Sequence, residues 1–220
     1  MGPAMTRIIY VRHGESIVTV ERVIGGHRTC SGLSPLGIRQ AERLRDRWAT
    51  TPEFTPDVVI SSHFPRARQT AEIVAQAFGS PEIVTDEGFG EHDPGPECDG
   101  MSFDEFVAKY GSNRWEDSDP FGVTFPGGET LAAFQFRVGS AVRRTIERYE
   151  DKTIVVACHG GVIDAVLRQA LKAAPTGGFW INTLNTSITE LVRQNASTWS
   201  LRRYGDTAHL AGLPASTRGE

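Results

Sequence analysis

The sequence runs to 220 residues, 39% hydrophobic and 23% charged, with a net charge of −4; this balance fits one globular domain and excludes fibrous and intrinsically disordered chains. Lysine and arginine are scattered without a basic stripe, so neither nucleic acid nor a membrane surface is an expected partner. Three cysteines, Cys30, Cys98 and Cys158, odd in number and far apart, argue against a disulfide framework, and the lack of a secretory core or of any run near roughly 18 apolar residues points to a cytoplasmic protein.

Residues 1–5 carry two methionines and read as an added leader before a start at Met5, so the folded domain is expected over 6–205. Ile8-Ile9-Tyr10-Val11 reads as a strand buried on both faces that stops at Arg12-His13-Gly14-Glu15. Ser34-Pro35 reads as a cap and first turn, with Ile38, Ala41, Leu44 and Trp48 following at helical spacing. Val58-Val59-Ile60 is a second strand, residues 67–78 a second helix and residues 82–85 a short strand. Gly, Pro and acidic residues make 88–100 a loop. Residues 102–110 read as a short helix, 111–128 as irregular and 129–149 as a long amphipathic helix, the whole resembling a lid or cap. Thr153 to Cys158 is the strongest strand signal and runs into His159-Gly160-Gly161 and a helix over 162–171. Residues 187–192 and 198–203 are expected to pair as an edge hairpin, and 206–220 to form a flexible tail.

This alternation predicts an α/β domain with a largely parallel central sheet and helices on both faces, a class that binds ligands beyond the carboxyl ends of its strands. Two strands each end in a histidine, His13 and His159, and a third leads through Ser61-Ser62 to Arg66. A metal-free phosphoryl-transfer site needs fixed cations or donors around one nucleophile, and Arg12, Arg66 and His159 can supply them. An arginine fork holds two phosphate oxygens, and arginine beside His13 favours the neutral imidazole that can attack phosphorus. Glu91, early in the acidic loop, is the candidate proton donor. An Arg-His-Gly turn or a helix-capping histidine is the plainer reading of each motif by itself. His27, His63 and His92 lack metal-ligand spacing, and Phe106, Trp115, Phe134 and Phe136 read as packing.

Four blocks in this order resemble the histidine phosphatase superfamily, also called the phosphoglycerate mutase-like family. They are Arg12-His13-Gly14-Glu15-Ser16; Leu33-Ser34-Pro35-Leu36-Gly37 with Gln40-Ala41; Ser61-Ser62 with Arg66-Ala67-Arg68-Gln69-Thr70-Ala71; and His159-Gly160-Gly161. Joint occurrence over roughly residues 7–192 is far more specific than any one block. The resemblance implies that His13 is phosphorylated, that Arg12 and Arg66 bind the phosphoryl oxygens, that His159 donates to them beside Gly160, and that Glu91 is the proton donor. No cofactor is implied, the substrate is a small phosphorylated molecule, and a homodimer is suggested. The stretch after Glu91 departs from the family's tryptophan-containing pattern, leaving Asp93 or Glu97 to share or replace its role. Thr19 stands where many relatives hold a phosphate-binding asparagine. Three functions follow: a phosphatase, a phosphoglycerate mutase primed by 2,3-bisphosphoglycerate, and a phospholigand-binding protein without turnover. The mutase needs extra cations for a doubly anionic substrate, whereas Asp93, Glu97 and Asp99 follow Glu91 and residues 114–125 offer one arginine. Hydrolysis is therefore the expected main reaction.

Overall fold

The structure is a computed structural model and describes residues 5–111, 119–177, 179 and 181–217. Among these, six strands form one sheet: β1 (Arg7–Arg12), β2 (Val58–Ser61), β3 (Ile83–Thr85), β4 (Thr153–Cys158), β5 (Ile188–Arg193) and β6 (Trp199–Asp206). Their order is β3-β2-β4-β1-β5-β6. The first four run parallel, while β5 is antiparallel to both β1 and β6.

Side-chain alternation along each strand makes two cores. Ile8, Tyr10, Ile154 and Val156 face one side, where they meet Val138 of α6 (Leu131–Arg148) and Ile163 of α7 (Gly160–Leu171). Ile9, Val11, Val59 and Val155 face the other, against Leu44 and Trp48 of α2 (Pro35–Thr50) and Val74 of α3 (Pro65–Ala75). Burying each such aliphatic side chain contributes about 1.5–3 kcal/mol. Ser34 caps α2 by accepting from the Gly37 N–H at 3.0 Å, as the sequence suggests.

The lid reading is corrected in one respect. Leu131, Phe134, Val138 and Ala141 place α6 in the main core, because one apolar stripe runs its whole length. The separate cap is small: α4 (Gly95–Cys98) and α5 (Phe103–Tyr110) gather Ile24, Cys98, Phe106 and Phe125 into their own cluster. Phe106 and Phe134 pack as expected, whereas Phe136 is 79% exposed; Arg114 and Trp115 lie outside the described residues. One short helix, α1 (Ile17–Val20), has too few residues for a periodic signal.

The described part of the tail, residues 206–217, expected to fray, packs instead. Arg47 grips Asp206 with two donors at 3.1 and 2.8 Å, and this pairing pulls the Asp206 carboxyl down to about 2. His209 bonds Thr186 Oγ1 at 3.0 Å, Gln40 donates to Ser216 Oγ at 2.9 Å, and the Thr217 N–H donates to Glu15 at 2.7 Å. Glu15 is buried and its carboxylate requires such donors, a need that is invisible in a polar, Pro- and Gly-containing run.

Candidate active site

The carboxyl ends of the parallel strands deliver the site. His13 follows β1 with its N–H on the Cys158 carbonyl at 2.9 Å, and Ser62 follows β2 with its N–H on the Ala157 carbonyl at 3.0 Å. His159 follows β4 and stands at the head of α7. It makes no side-chain cap bond to that helix; its Nε2 bonds Ser62 Oγ at 2.8 Å, and its ring meets the His13 ring edge-on at 5.1 Å. Arg66, in the first turn of α3, places Nε 3.1 Å from His13 Nε2 and donates from Nη1 to the Gly25 carbonyl at 3.0 Å. Arg12 donates through Nη1 to the Thr183 carbonyl. A Cβ on Gly160 would sit 3.3 Å from Thr183 Oγ1 and 3.6 Å from Arg12 Nε, so that glycine lies against both groups.

The chemistry of His13 follows from its neighbours. Its Nδ1 lies 2.7 Å from the Gly14 carbonyl, an acceptor only, so Nδ1 carries the proton and Nε2 the lone pair. Burial, then Arg66 and Arg12, hold His13 well below the ordinary imidazole range; burial, then Arg66 and His13, do the same to His159. Both rings are neutral near pH 7. Arg12 Nε and His159 Nδ1 are buried and have no partner among the described residues. Buried polar atoms of a native protein are nearly always satisfied, and an anion beside His13 would satisfy both. The arrangement can therefore cradle a phosphoryl group against a neutral imidazole.

These shifts set an acid limit on the fold. Above pH 6.5 the imidazoles are neutral whether folded or unfolded; below it the unfolded chain binds protons that buried His13, His159 and His209, the last lowered to about 4, refuse. Each removes up to about 1.4 kcal/mol of stability per pH unit between 6.5 and its folded value. We expect Tm to fall steadily from pH 7 to pH 5, with a shallower fall for His209→Gln; a flat profile would contradict buried neutral imidazoles.

Glu91 reaches the same rim. Its Oε2 accepts from the Gly161 N–H at 3.1 Å and its Oε1 from the His92 N–H at 3.0 Å. A Cβ at Gly161 would lie 2.3 Å from Glu91 Oε1, so only glycine admits the carboxylate there. Asp93 instead caps the Gly95 N–H at 2.9 Å, Glu97 meets the Tyr110 hydroxyl at 3.4 Å, and Asp99 accepts from the Gly26 and Arg28 N–H groups. The Thr19 hydroxyl bonds Ser16 Oγ at 2.8 Å, a bond that does not join it to the His13 cluster. Sequence reasoning passed over Thr183 and Asn185, although Asn185 Nδ2 holds the His13 carbonyl at 2.9 Å. The signal was a Thr-Leu-Asn-Thr-Ser run directly before β5, polar where apolar residues are usual; all of it but Leu184 is buried.

A family model described as histidine phosphatase superfamily (branch 1) matches residues 8–207. The chain is similar to phosphoglycerate mutase-like protein 4 of Arabidopsis thaliana, at 30% identity over 92% of this chain and 86% of the relative. It is 26% identical to a metal-independent phosphoserine phosphatase of the same plant, over 98% of this chain and 87% of that protein. Among solved structures, a mutant phosphoserine phosphatase of Entamoeba histolytica in complex with phosphoserine superposes with TM-score 0.74 at 26% identity, covering 94% of this chain and all of the other.

Proposed function

Because this chain belongs to the histidine phosphatase superfamily, and is a phosphatase, we propose that it hydrolyses small phosphomonoesters through a phosphohistidine on His13, with Glu91 as proton donor and without a metal ion. The observation that carries this reading is the cradle: a neutral His13 Nε2 beside the Arg66 guanidinium, with Arg12 Nε and His159 Nδ1 buried and unpartnered around it. The three cysteines are free and buried, which supports a reducing, cytoplasmic setting, and no described helix is long and apolar enough to cross a membrane.

In the first step the His13 Nε2 lone pair forms a bond to phosphorus while the ester P–O bond breaks. The leaving oxygen takes the electron pair and the proton of the Glu91 carboxylic acid. Arg12, Arg66 and His159 bind the equatorial oxygens, where charge is spread in the transition state. In the second step a water attacks phosphorus, Glu91 takes the water's proton, and the N–P bond returns its electrons to His13. Inorganic phosphate leaves.

Mutase chemistry would need a second cationic grip. The carboxylates of Asp93, Glu97 and Asp99 are engaged with the cap's own Gly95, Tyr110 and residues 26–29, so support for hydrolysis as the main reaction comes from similarity to phosphatases rather than from repulsion by these acids. The test is a phosphate-release screen of purified protein with phosphoserine, phosphosugars, phosphoglycerates and nucleotides in EDTA. Several monoesters should be hydrolysed at undiminished rate, with inhibition by vanadate. Metal-dependent rescue after chelation, or enolase-coupled, primer-dependent interconversion of phosphoglycerates faster than any hydrolysis, would overturn the proposal.

A further inference from the structure

The acid segment is held between a 3₁₀ turn over Glu87–Phe89 and α4, and four carbonyls over residues 87–91 turn toward one side chain. Arg137, on α6, gives its two Nη1 N–H groups to the carbonyls of Gly88 at 3.1 Å and Gly90 at 3.0 Å, with the Glu87 carbonyl at 3.3 Å sharing one of them, and donates from Nη2 to the Glu91 carbonyl at 3.1 Å. The guanidinium is itself fixed. Nε and Nη2 pair with the two Glu129 oxygens at 2.9 and 2.7 Å, and the Phe134 ring lies 5.2 Å from its centre. Glu129 also holds the loop from its far side, giving its N–H to the Asp93 carbonyl at 2.9 Å and accepting from the Asp93 N–H at 3.4 Å. The anchor below is rigid, since Phe134, Val138 and Ala141 of α6 are buried in the main core.

We propose that Arg137 is a positioning residue for the reaction, its guanidinium fixing the backbone of Glu91 so that the carboxyl meets the leaving oxygen. The inference rests on the assignment of Glu91 as the acid. A planar five-donor fork suits the task, because two N–H groups hold the Glu129 carboxylate while the other three reach the loop carbonyls, and an ammonium cannot match that geometry. The Glu91 carboxylate is tied to Gly161 on α7 and its carbonyl to Arg137 on α6, so the acid is slung between the two helices that cover one face of the sheet. Releasing one tether lets it drift, and misplacement by about 1 Å can cost 10²-fold in rate.

The experiment compares Arg137→Gln, Glu91→Gln and the double variant on phosphoserine, whose alkoxide leaving group needs a proton, and on p-nitrophenyl phosphate, whose leaving group scarcely does. Arg137→Gln should lower kcat on phosphoserine by about 10–100-fold and on the aryl ester by less than about threefold. In the Glu91→Gln background it should add almost nothing. Arg137→Lys, which keeps the charge opposite Glu129, should show the same alkyl-selective loss to a smaller degree, and it serves if the glutamine variant fails to fold. Equal slowing of both esters, or losses that multiply in the double variant, would reduce Arg137 to a structural role. If Glu91→Gln is itself unselective, the acid assignment falls and this inference with it. If Glu91→Gln is selective and neither Arg137 variant is, the inference fails alone.

Discussion

His13→Ala should lose turnover by on the order of 10⁴-fold or more, the scale seen when a nucleophile is removed from a site whose other groups remain. The argument is one of supply. A covalent intermediate needs an unprotonated lone pair facing the cradle. The His13 Nε2 qualifies because its partner nitrogen is tied to the Gly14 carbonyl and because burial and two arginines keep the ring neutral. The neighbouring His159 is neutral as well, but with its Nε2 accepting from Ser62 Oγ its Nδ1 carries the proton and serves the cradle as a donor, so it is poorly placed to substitute. Quenching wild-type protein during turnover of ³²P-labelled ester should trap an acid-labile, base-stable adduct, and the variant should give none. Full hydrolysis by His13→Ala, or an adduct of unchanged yield, would require a different nucleophile.

The second large effect is expected at Arg66, which acts twice. As the cation beside Nε2 it grips the transferring phosphoryl group, and losing such a donor from a buried site costs about 10²–10³ in rate. It also helps to hold the His13 proton affinity down, so Arg66→Met, which keeps the length of the buried stem, should raise it. The sign is definite. A raised His13 pKa means that the neutral nucleophile is lost at a higher pH, so the acid limb of kcat/KM moves upward. The move is partial, because burial is the larger cause and survives the substitution. Arg66→Lys should retain more rate and leave the limb nearer its wild-type position. A pH profile unmoved in Arg66→Met would mean that the guanidinium does not act on His13.

The strands and the four motif blocks were legible because each is a local matter. Ile8 to Val11 and Ile154 to Ala157 are apolar on both faces and stop at a histidine, and a strand's carboxyl end is a fixed place in a parallel sheet. What was not legible depends on partners distant in the chain. Asn185 and Thr183 are ordinary polar residues until the fold sets them under His13 and Arg12. Arg137 looks like one more charge on an amphipathic helix, and only the folded loop reveals the carbonyls around it. Thr217 gave no sign of meeting Glu15, 202 positions earlier, since nothing in either neighbourhood requires the other. Glu91 falls between these cases: the motif suggested an acid in the loop, and the fold sets Glu91 on Gly161 while Asp93 and Glu97 bond Gly95 and Tyr110.

The place of β1 in the sheet has a consequence for how the chain is made. It is the first of the six described strands to be synthesised and sits in the interior, yet its two neighbours are β4, which begins at Thr153, and β5, which begins at Ile188. The ion pair that closes its lower end, Arg7 with Glu190, spans 183 positions. At about 5–20 residues per second a ribosome takes on the order of ten seconds or more to deliver the missing partners. Through that interval Ile8-Ile9-Tyr10-Val11 is a β-prone apolar run with both edges open, the kind of segment that pairs with whatever strand it meets. The strand that leads into His13 is thus a part of the nascent chain in need of a holding chaperone, and the rim where His13 meets His159 is completed only once β4 has been made.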